Sequence, residues 1–271
     1  SRVVRHPDGN WETRYRTPAA ELESTEAEFR RIPNLFEILS YDYWHANYGY
    51  VLPTLVRERK EAYLASEIGR THVLDVVRAK LRAGGRTEEQ IDALGEEGQL
   101  QAASGFFGGG HDVIVARRHF VDGATDNTQL ASSGTLTPDE HERFISYTAD
   151  ATRALFELNR YARYVAVFQN WLRPAGASFD HLHKQLVAID ERGSQHEQAI
   201  TRLRSNPNIF NEYGANYAAY KNLVIAENAH AIAFAGFGHR YPTIEIYSKS
   251  EHCDPWEHEP DELRGMSDMI H

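Results

Sequence analysis

The apolar residues follow a helical periodicity in several parts of the chain. Residues 53–85, "PTLVRERKEAYLASEIGRTHVLDVVRAKLRAGG", place apolar side chains three and four positions apart and end on two glycines, which predicts a helix or a helix pair. Residues 137–161 have the same spacing after a capping box from Thr137 to Glu140, which predicts a long helix. A further helix is expected near Thr87, where "TEEQ" resembles a capping box.

Runs rich in β-branched residues predict strands between and after these helices. The runs are "HDVIVARRHF" (111–120), "YVAVFQN" (164–170) and a strand that opens at His181 with "HLHKQLVAI" (181–189). The glycine-rich "SGFFGGG" (104–110) predicts a flexible break before the first of them. The order strand, long helix, strand, strand is typical of a compact α+β unit.

A weaker copy of this order follows later in the chain. Residues 222–252 contain predicted strands, and "EPDELRGM" (259–266) repeats the Pro-Asp-Glu helix start of residues 138–140. The sequence therefore predicts an N-terminal repeat over residues 1–221, with a helical insert at about 54–104, and the start of a second repeat over residues 222–271. A second copy as long as the first would extend beyond residue 271, and the first residue is Ser1, so we expect both ends to be cut.

Composition and charge exclude several classes of protein. The net charge of −10 is spread along 271 residues, which argues against a broad nucleic-acid-binding surface. The sequence has no apolar run long enough for a membrane span and no signal-peptide pattern at its start. Cys253 is the only cysteine, which excludes an internal disulfide framework and a CxxC metal site within these residues. We expect a cytoplasmic protein with neither a nucleic-acid nor a membrane partner.

Two histidines and a glutamine alternate at the start of the strand predicted from His181. Because strand side chains alternate between faces, His181, His183 and Gln185 are expected on one face. A neutral imidazole is a nucleophile near pH 7, so this face can attack phosphorus. Gly176 and Ser178, just upstream, can bring backbone amides and a hydroxyl close to phosphate oxygens. The alternative is a chance surface pair in a chain with fourteen histidines.

The pattern Asn170, Gly176, Ser178, His181-Leu-His183-Lys-Gln185 resembles the active-site segment of the galactose-1-phosphate uridylyltransferase branch of the histidine-triad superfamily. That branch also includes diadenosine tetraphosphate and ADP-sugar phosphorylases. "IPNLFEIL" (32–39) resembles its nucleoside-binding segment, and "HDVIVARRH" resembles its strand that ends in a metal-binding histidine. The resemblance implies an α+β fold with a histidine-triad-like antiparallel sheet and helices, in two pseudo-repeats of which the second is incomplete here.

The resemblance also implies a role for each matching residue. His183 is expected to be the nucleophile that takes the nucleotidyl group, next to His181, and Gln185 to bind a phosphate oxygen of the covalent intermediate. The expected nucleotide-binding residues are Asn34, Phe36, Asn170, Gly176 and Ser178.

The expected activity is that of a nucleotidyltransferase. A nucleoside monophosphate would move between a nucleotide sugar and a sugar phosphate through a nucleotidyl-histidine. One alternative is a dinucleotide or nucleotide-sugar phosphorylase, whose acceptor is inorganic phosphate. Two others are a non-catalytic nucleotide-binding protein of the same fold and a structural metal-binding protein. Family members are usually dimers, so a homodimer is expected, without an organic cofactor.

Zinc is the metal that the resemblance implies. His119 and His181 match zinc-binding positions of many members, but the two cysteines of the accompanying CxxC are absent from residues 1–271. Either those cysteines precede Ser1, or the site is lost and His181 supports the strand by hydrogen bonding. His111 and His252 are additional candidate ligands, although each position is also typical of a strand end or a loop.

Overall fold

The protein is α+β, as the sequence predicts, and its larger sheet is antiparallel. The computed structural model describes residues 1–34, 36–177 and 179–271. Six strands form this sheet: β1 (Arg2–Arg5), β2 (Trp11–Arg14), β3 (Phe29–Pro33), β4 (His111–Ala116), β5 (Tyr164–Phe168) and β6 (His183–Ile189). Their order is β2-β1-β3-β4-β6-β5, and each neighbouring pair is antiparallel. β4 and β6 therefore lie inside the sheet, with a paired strand on both sides.

The register between β4 and β6 decides which side chains share a face. Val115 lies opposite His183, and Val113 lies opposite Gln185. Since side chains alternate, His183 and Gln185 project from one face of β6 and Lys184 from the other. The predicted start of this strand at His181 is two residues too early: β6 begins at His183, although the Ala116 N–H still donates to the Leu182 carbonyl oxygen at 3.0 Å.

The predicted helix pair is confirmed, and the helical region is longer than the sequence predicts. After α1 (Tyr41–Tyr48) it contains α2 (Thr54–Ala65), α3 (Glu67–Ala83), α4 (Glu88–Asp92), α5 (Gly95–Gln101) and α6 (Ser104–Gly108). α4 begins at the predicted capping box, in which Thr87 and Gln90 exchange side-chain to backbone hydrogen bonds. The helical region thus continues to Gly108, and its interpretation as an insert over about 54–104 stays a prediction.

The predicted flexible break over residues 104–110 is wrong for its first part, because α6 is helical. Phe106 and Phe107 of α6 pack against a small core formed by Val73, Val77 and Ala103. Burial of these aromatic rings stabilises the helix against the low helix propensity of its glycines. This helical region therefore contains a small apolar cluster of its own.

The chain divides into two compact units. The first unit contains residues 1–131 and 151–190, and the second contains residues 132–150 and 191–271. The predicted boundary between residues 221 and 222 stays a prediction. Outside the six-stranded sheet the chain forms α7 (Pro138–Leu158), α8 (Gly193–Ser205), α9 (Asn216–Tyr220) and α10 (Pro260–Ile270), and strands β7 (Val224–Glu227), β8 (Ala231–Ala235) and β9 (Ile244–Ser248).

The later strands and helices follow the predicted order. β7, β8 and β9 form a three-stranded antiparallel sheet in that order. α7 begins at the predicted capping box: the Glu140 carboxylate accepts from the Thr137 N–H at 2.7 Å, and the Thr137 hydroxyl accepts from the Glu140 N–H at 3.3 Å. α10 begins at Pro260, after a capping box between Glu259 and Glu262. Among the described residues, no helix combines the length and the apolar run that crossing a bilayer requires.

Candidate active site

His183 is the first residue of β6 and is buried, with 2% of its surface exposed. Its Nδ1 lies 2.7 Å from the carbonyl oxygen of His181. A carbonyl oxygen only accepts hydrogen bonds, so Nδ1 carries the proton and donates it there. In the neutral ring the lone pair is then on Nε2, which has no hydrogen-bond partner among the described residues. The lone pair of this ring nitrogen is therefore not used by another group of the described residues.

The ring of Phe179 covers the ring of His183. The two ring centroids are 4.2 Å apart with an angle of 25° between the planes, which is a stacked arrangement. Phe179 itself is 44% exposed, so its outer face is in solvent while its inner face lies on the histidine. The burial of His183 therefore depends in part on a side chain from the loop that precedes β6.

A second polar group lies on the same face of the sheet, where β3, β4 and β6 are neighbours. Nε2 of His111 is 3.0 Å from Nδ2 of Asn34 and 3.1 Å from Oε1 of Gln185. The Asn34 N–H also donates to the His111 carbonyl oxygen at 2.8 Å. Three side chains that are far apart in sequence are thus joined at one ring nitrogen. The sequence indicated Asn34 and Gln185 as site residues but gave His111 only as a candidate metal ligand or a strand-end residue.

The surroundings of His111 favour its neutral form. The side chain is 2% exposed, and this burial lowers its pKa below the ordinary value, against a smaller opposing effect from the contact with Gln185. A neutral imidazole has one N–H and one lone pair, so Nε2 either donates to Gln185 or accepts from Asn34. The alternation of side chains along a strand could have identified His111 as a site residue. His111 and Val113 are two residues apart and so share a face of β4, and Val113 lies opposite Gln185.

His119 and His181, the two predicted zinc ligands, lie next to each other. Their Nδ1 atoms are 3.0 Å apart, and their rings are stacked with centroids 5.0 Å apart. Nε2 of His181 donates to the carbonyl oxygen of Ala116 at 2.6 Å, which leaves its Nδ1 as the acceptor towards His119. Burial is the main cause that lowers the pKa of His181, and it outweighs the hydrogen bond to Ala116, which raises the pKa.

The test for zinc is whether further ligands converge on this pair. A histidine that binds a metal through one nitrogen commonly donates the other N–H to a carbonyl, as His181 does to Ala116. Structural zinc has four ligands, however, and the described residues contain no group of three or more His, Cys, Asp or Glu side chains that is able to hold a metal. The donor set of the described residues is therefore incomplete for structural zinc.

The loop before β6 brings two of the predicted phosphate-binding residues together. Gly176 has a φ of +88°, a left-handed conformation that favours glycine, and ends a short 3₁₀ helix over Arg173–Ala175. If residue 176 carried a side chain, its Cβ atom would lie 3.6 Å from Nδ2 of Asn170. The predicted site residue Ser178 lies outside the described residues. Phe36, the predicted nucleoside contact, is 61% exposed, and its N–H donates to Oδ1 of Asn34 at 2.9 Å.

The opposite face of the sheet buries charged groups. Lys184 follows His183 directly but points away from it, and burial lowers its pKa from 10.5 to about 7. Nε of Arg31 lies 2.6 Å from Oδ2 of Asp112, and both side chains are largely buried. The face of the sheet opposite the candidate nucleophile thus contains buried charged groups from β3, β4 and β6.

The family assignment comes from a comparison with family models. A model described as a domain of unknown function, DUF4921, matches residues 1–271. The chain belongs to the DUF4921 family. No curated protein matches the sequence of this DUF4921 chain.

Solved structures similar to this DUF4921 chain include the following three. One is titled a uridylyltransferase, with 18% identity, a TM-score of 0.46 and a match that covers 59% of this chain and 49% of that chain. A GalT-like protein from Arabidopsis thaliana has 21% identity, a TM-score of 0.47 and coverage of 59% and 50%. An ADP-glucose phosphorylase from Arabidopsis thaliana, with bound ADP-glucose, has 20% identity, a TM-score of 0.46 and coverage of 59% and 48%. The matches span about half the length of those proteins.

Proposed function

We propose that this DUF4921 protein is a nucleotidyltransferase that works through a covalent nucleotidyl-histidine on His183. The observation that carries the proposal is the tautomer of His183. Its Nδ1–H is committed to the carbonyl oxygen of His181 at 2.7 Å, so the neutral ring keeps its lone pair on Nε2 without competition from a second protein group among the described residues. A lone pair that is not used within the protein is what a nucleophilic histidine requires.

The reaction consists of two displacements at the same phosphorus atom. Nε2 of His183 attacks the α-phosphorus of a nucleotide sugar, an N–P bond forms, and the bond to the sugar phosphate breaks. A phosphate oxygen of the acceptor then attacks that phosphorus, the N–P bond breaks, and the imidazole regains its lone pair. Each leaving group is a phosphate anion or an imidazole, so neither displacement requires a strong general acid.

Gln185 supports the proposal because it is neutral and lies two residues after His183 on the same face of β6. An amide donates a hydrogen bond to a phosphate oxygen but does not transfer a proton to a leaving group. The side-chain amide of Asn170, in the loop before β6, is a further neutral donor, and Gly176 leaves the space beside it free of a side chain. Such a set stabilises a phosphorylated histidine without activating water, which favours transfer over hydrolysis.

The test is the intact mass of the protein after separate incubation with UDP-glucose, UDP-galactose, ADP-glucose and diadenosine tetraphosphate, measured under non-acidic conditions. The expected result is a mass increase of one nucleoside monophosphate, which also identifies the base. The His183→Ala variant should show none, whereas His196→Ala, an exposed histidine on α8, should match the parent. Folding of each variant is checked by its thermal unfolding.

The acceptor is identified in a second step. The isolated adduct is mixed with a hexose 1-phosphate or with inorganic phosphate, and loss of the added mass is followed in time. Faster loss with the hexose 1-phosphate supports the transferase, and faster loss with inorganic phosphate supports a phosphorylase. No adduct with any donor, together with nucleotide binding that persists in His183→Ala, would contradict both and support a non-catalytic nucleotide-binding protein. The homodimer, the zinc ion and the cytoplasmic location stay predictions.

A further inference from the structure

His111 has no role in the two displacements, although it is buried beside residues that do. Its ring projects from the start of β4 between β3 and β6, and its Nε2 is within hydrogen-bond distance of both Asn34 and Gln185. Nε2 of His111 therefore connects Asn34, a predicted nucleoside contact, with Gln185, which is expected to bind the phosphate.

We propose that His111 is a positioning residue that sets which end of the Gln185 amide faces the phosphate on His183. When Nε2 of His111 carries the proton, it donates to Oε1 of Gln185. The NH₂ end of that amide is then left for a phosphate oxygen, which needs a donor. If the amide were reversed, its carbonyl oxygen would face the phosphate oxygens and repel them. This role rests on the proposed function and deepens it.

Asn34 makes this positioning depend on the nucleotide. The Phe36 N–H donates to Oδ1 of Asn34, so Nδ2 is the end of the Asn34 amide that faces His111. A protonated Nε2 of His111 satisfies Gln185, and an unprotonated one satisfies Asn34. A nucleoside that takes the Asn34 amide as its own partner removes this competitor and favours the tautomer that holds Gln185. Binding of the nucleoside and orientation of the phosphate contact are thereby coupled through one proton.

The first test measures the tautomer of His111 directly and requires no activity. The protein is labelled with ¹⁵N at its histidine rings, and the His111 signals are assigned by their loss in His111→Phe. Gln185→Ala should move His111 towards the Nδ1–H form, because only Asn34 remains as a partner. Asn34→Ala should move it towards the Nε2–H form. Ring ¹⁵N shifts that stay unchanged in both variants would overturn the proposal.

The second test measures the rate of adduct formation at saturating donor in His111→Phe, in Gln185→Ala and in the double variant. Loss of one hydrogen bond of this kind should slow the reaction about tenfold in His111→Phe. Because His111 acts through Gln185, the same change should have no further effect when Gln185 is already Ala. His111→Gln keeps an N–H donor and should recover part of the rate, which a loss of packing alone would not allow. Equal slowing in both backgrounds would overturn the proposal.

The two tests separate this inference from the function on which it rests. If the parent protein forms no adduct with any donor, the proposed function fails, while the ring ¹⁵N shifts still decide whether His111 holds the Gln185 amide. If the adduct forms but the rates are additive, the function stands and the positioning role fails. Thermal unfolding of each variant identifies any that do not fold, and if His111→Phe is one of them, His111→Leu, which also lacks an N–H donor, replaces it in the cycle.

Discussion

The two sheets of the molecule contain similar strand pairs but bury different chemistry. β3 pairs with β4, and β8 pairs with β9, in each case antiparallel and through five consecutive residue pairs. The second pair buries apolar side chains: Ala231, Ile232, Ala233 and Phe234. In the first sheet, buried positions also hold titratable or charged side chains: Arg2, His111, Asp112, His183 and Lys184.

This difference predicts that the buried polar groups of the first sheet lower its contribution to the free energy of unfolding. An apolar strand gains free energy from every buried methylene, whereas a buried charge loses hydration that only a good partner offsets. The predicted repeat makes the contrast sharper: counted back from His119 and from His252, His111 corresponds to Ile244, an exposed apolar residue. The same order of strands is therefore present in the second sheet without the buried polar side chains of the first.

The largest effect on stability is expected at Lys184. Burial lowers the pKa of Lys184 to about 7 in the folded protein, from an ordinary value of 10.5. Keeping the lysine protonated in the folded state therefore lowers the free energy of unfolding by up to about 5 kcal/mol. Because the folded pKa is the lower one, this cost is fully present below pH 7 and disappears as the pH rises towards 10.5. Lys184→Met should raise the free energy of unfolding by several kcal/mol at pH 6, with a gain that shrinks at pH 9 to 10.

Denaturant unfolding at a series of pH values measures this effect. Lys221→Met, at an exposed position in the second unit, is the matched control and should change the free energy of unfolding little at any pH. A Lys184→Met gain that is the same at pH 6 and at pH 10 would show that the lysine is not desolvated in the folded state.

The next largest effect is expected from the ion pair between Arg31 and Asp112. The pair is largely buried, so Arg31→Met removes the ion-pair partner of a buried carboxylate, which should cost about 3 kcal/mol. In the second sheet, Nζ of Lys249 lies 2.6 Å from Oε1 of Glu227, but that pair is exposed, and Lys249→Met should cost less than about 1 kcal/mol.

Chemical denaturation of the two variants at pH 7 gives both values. The double variant Arg31→Met with Asp112→Leu should recover much of the loss, because it removes both charges. If Arg31→Met and Lys249→Met lowered the free energy of unfolding equally, burial would not make the ion pair of the first sheet more important for stability than that of the second.

Local motifs in the sequence predicted much of this fold, and long-range contacts account for most of what they missed. The capping boxes at Thr87 and Thr137 involve side chains three residues apart, so the sequence alone shows them. The shared face of His183 and Gln185 follows from their spacing in a strand. The cluster at His111 depends on the order and register of three strands that are distant in sequence, which no single stretch contains. The helix at Ser104–Gly108 depends in the same way on packing against Val73 and Val77.

The smallest effect that still distinguishes the two units concerns Phe179, whose ring covers that of His183. Phe179→Ala should raise the rate at which diethyl pyrocarbonate modifies His183 several-fold, because Nε2 is buried beneath this side chain. The cost in stability should be only about 1 kcal/mol, since the phenylalanine is already partly exposed. Peptide mass spectrometry resolves His183 from the other histidines.

The control is Phe237→Ala, which changes a similarly exposed aromatic residue of the second unit and should leave the rate of His183 modification unchanged. If both variants leave His183 equally slow to react, the loop backbone rather than the Phe179 ring restricts access to the nucleophile, and a substrate would have to displace that loop instead of one side chain.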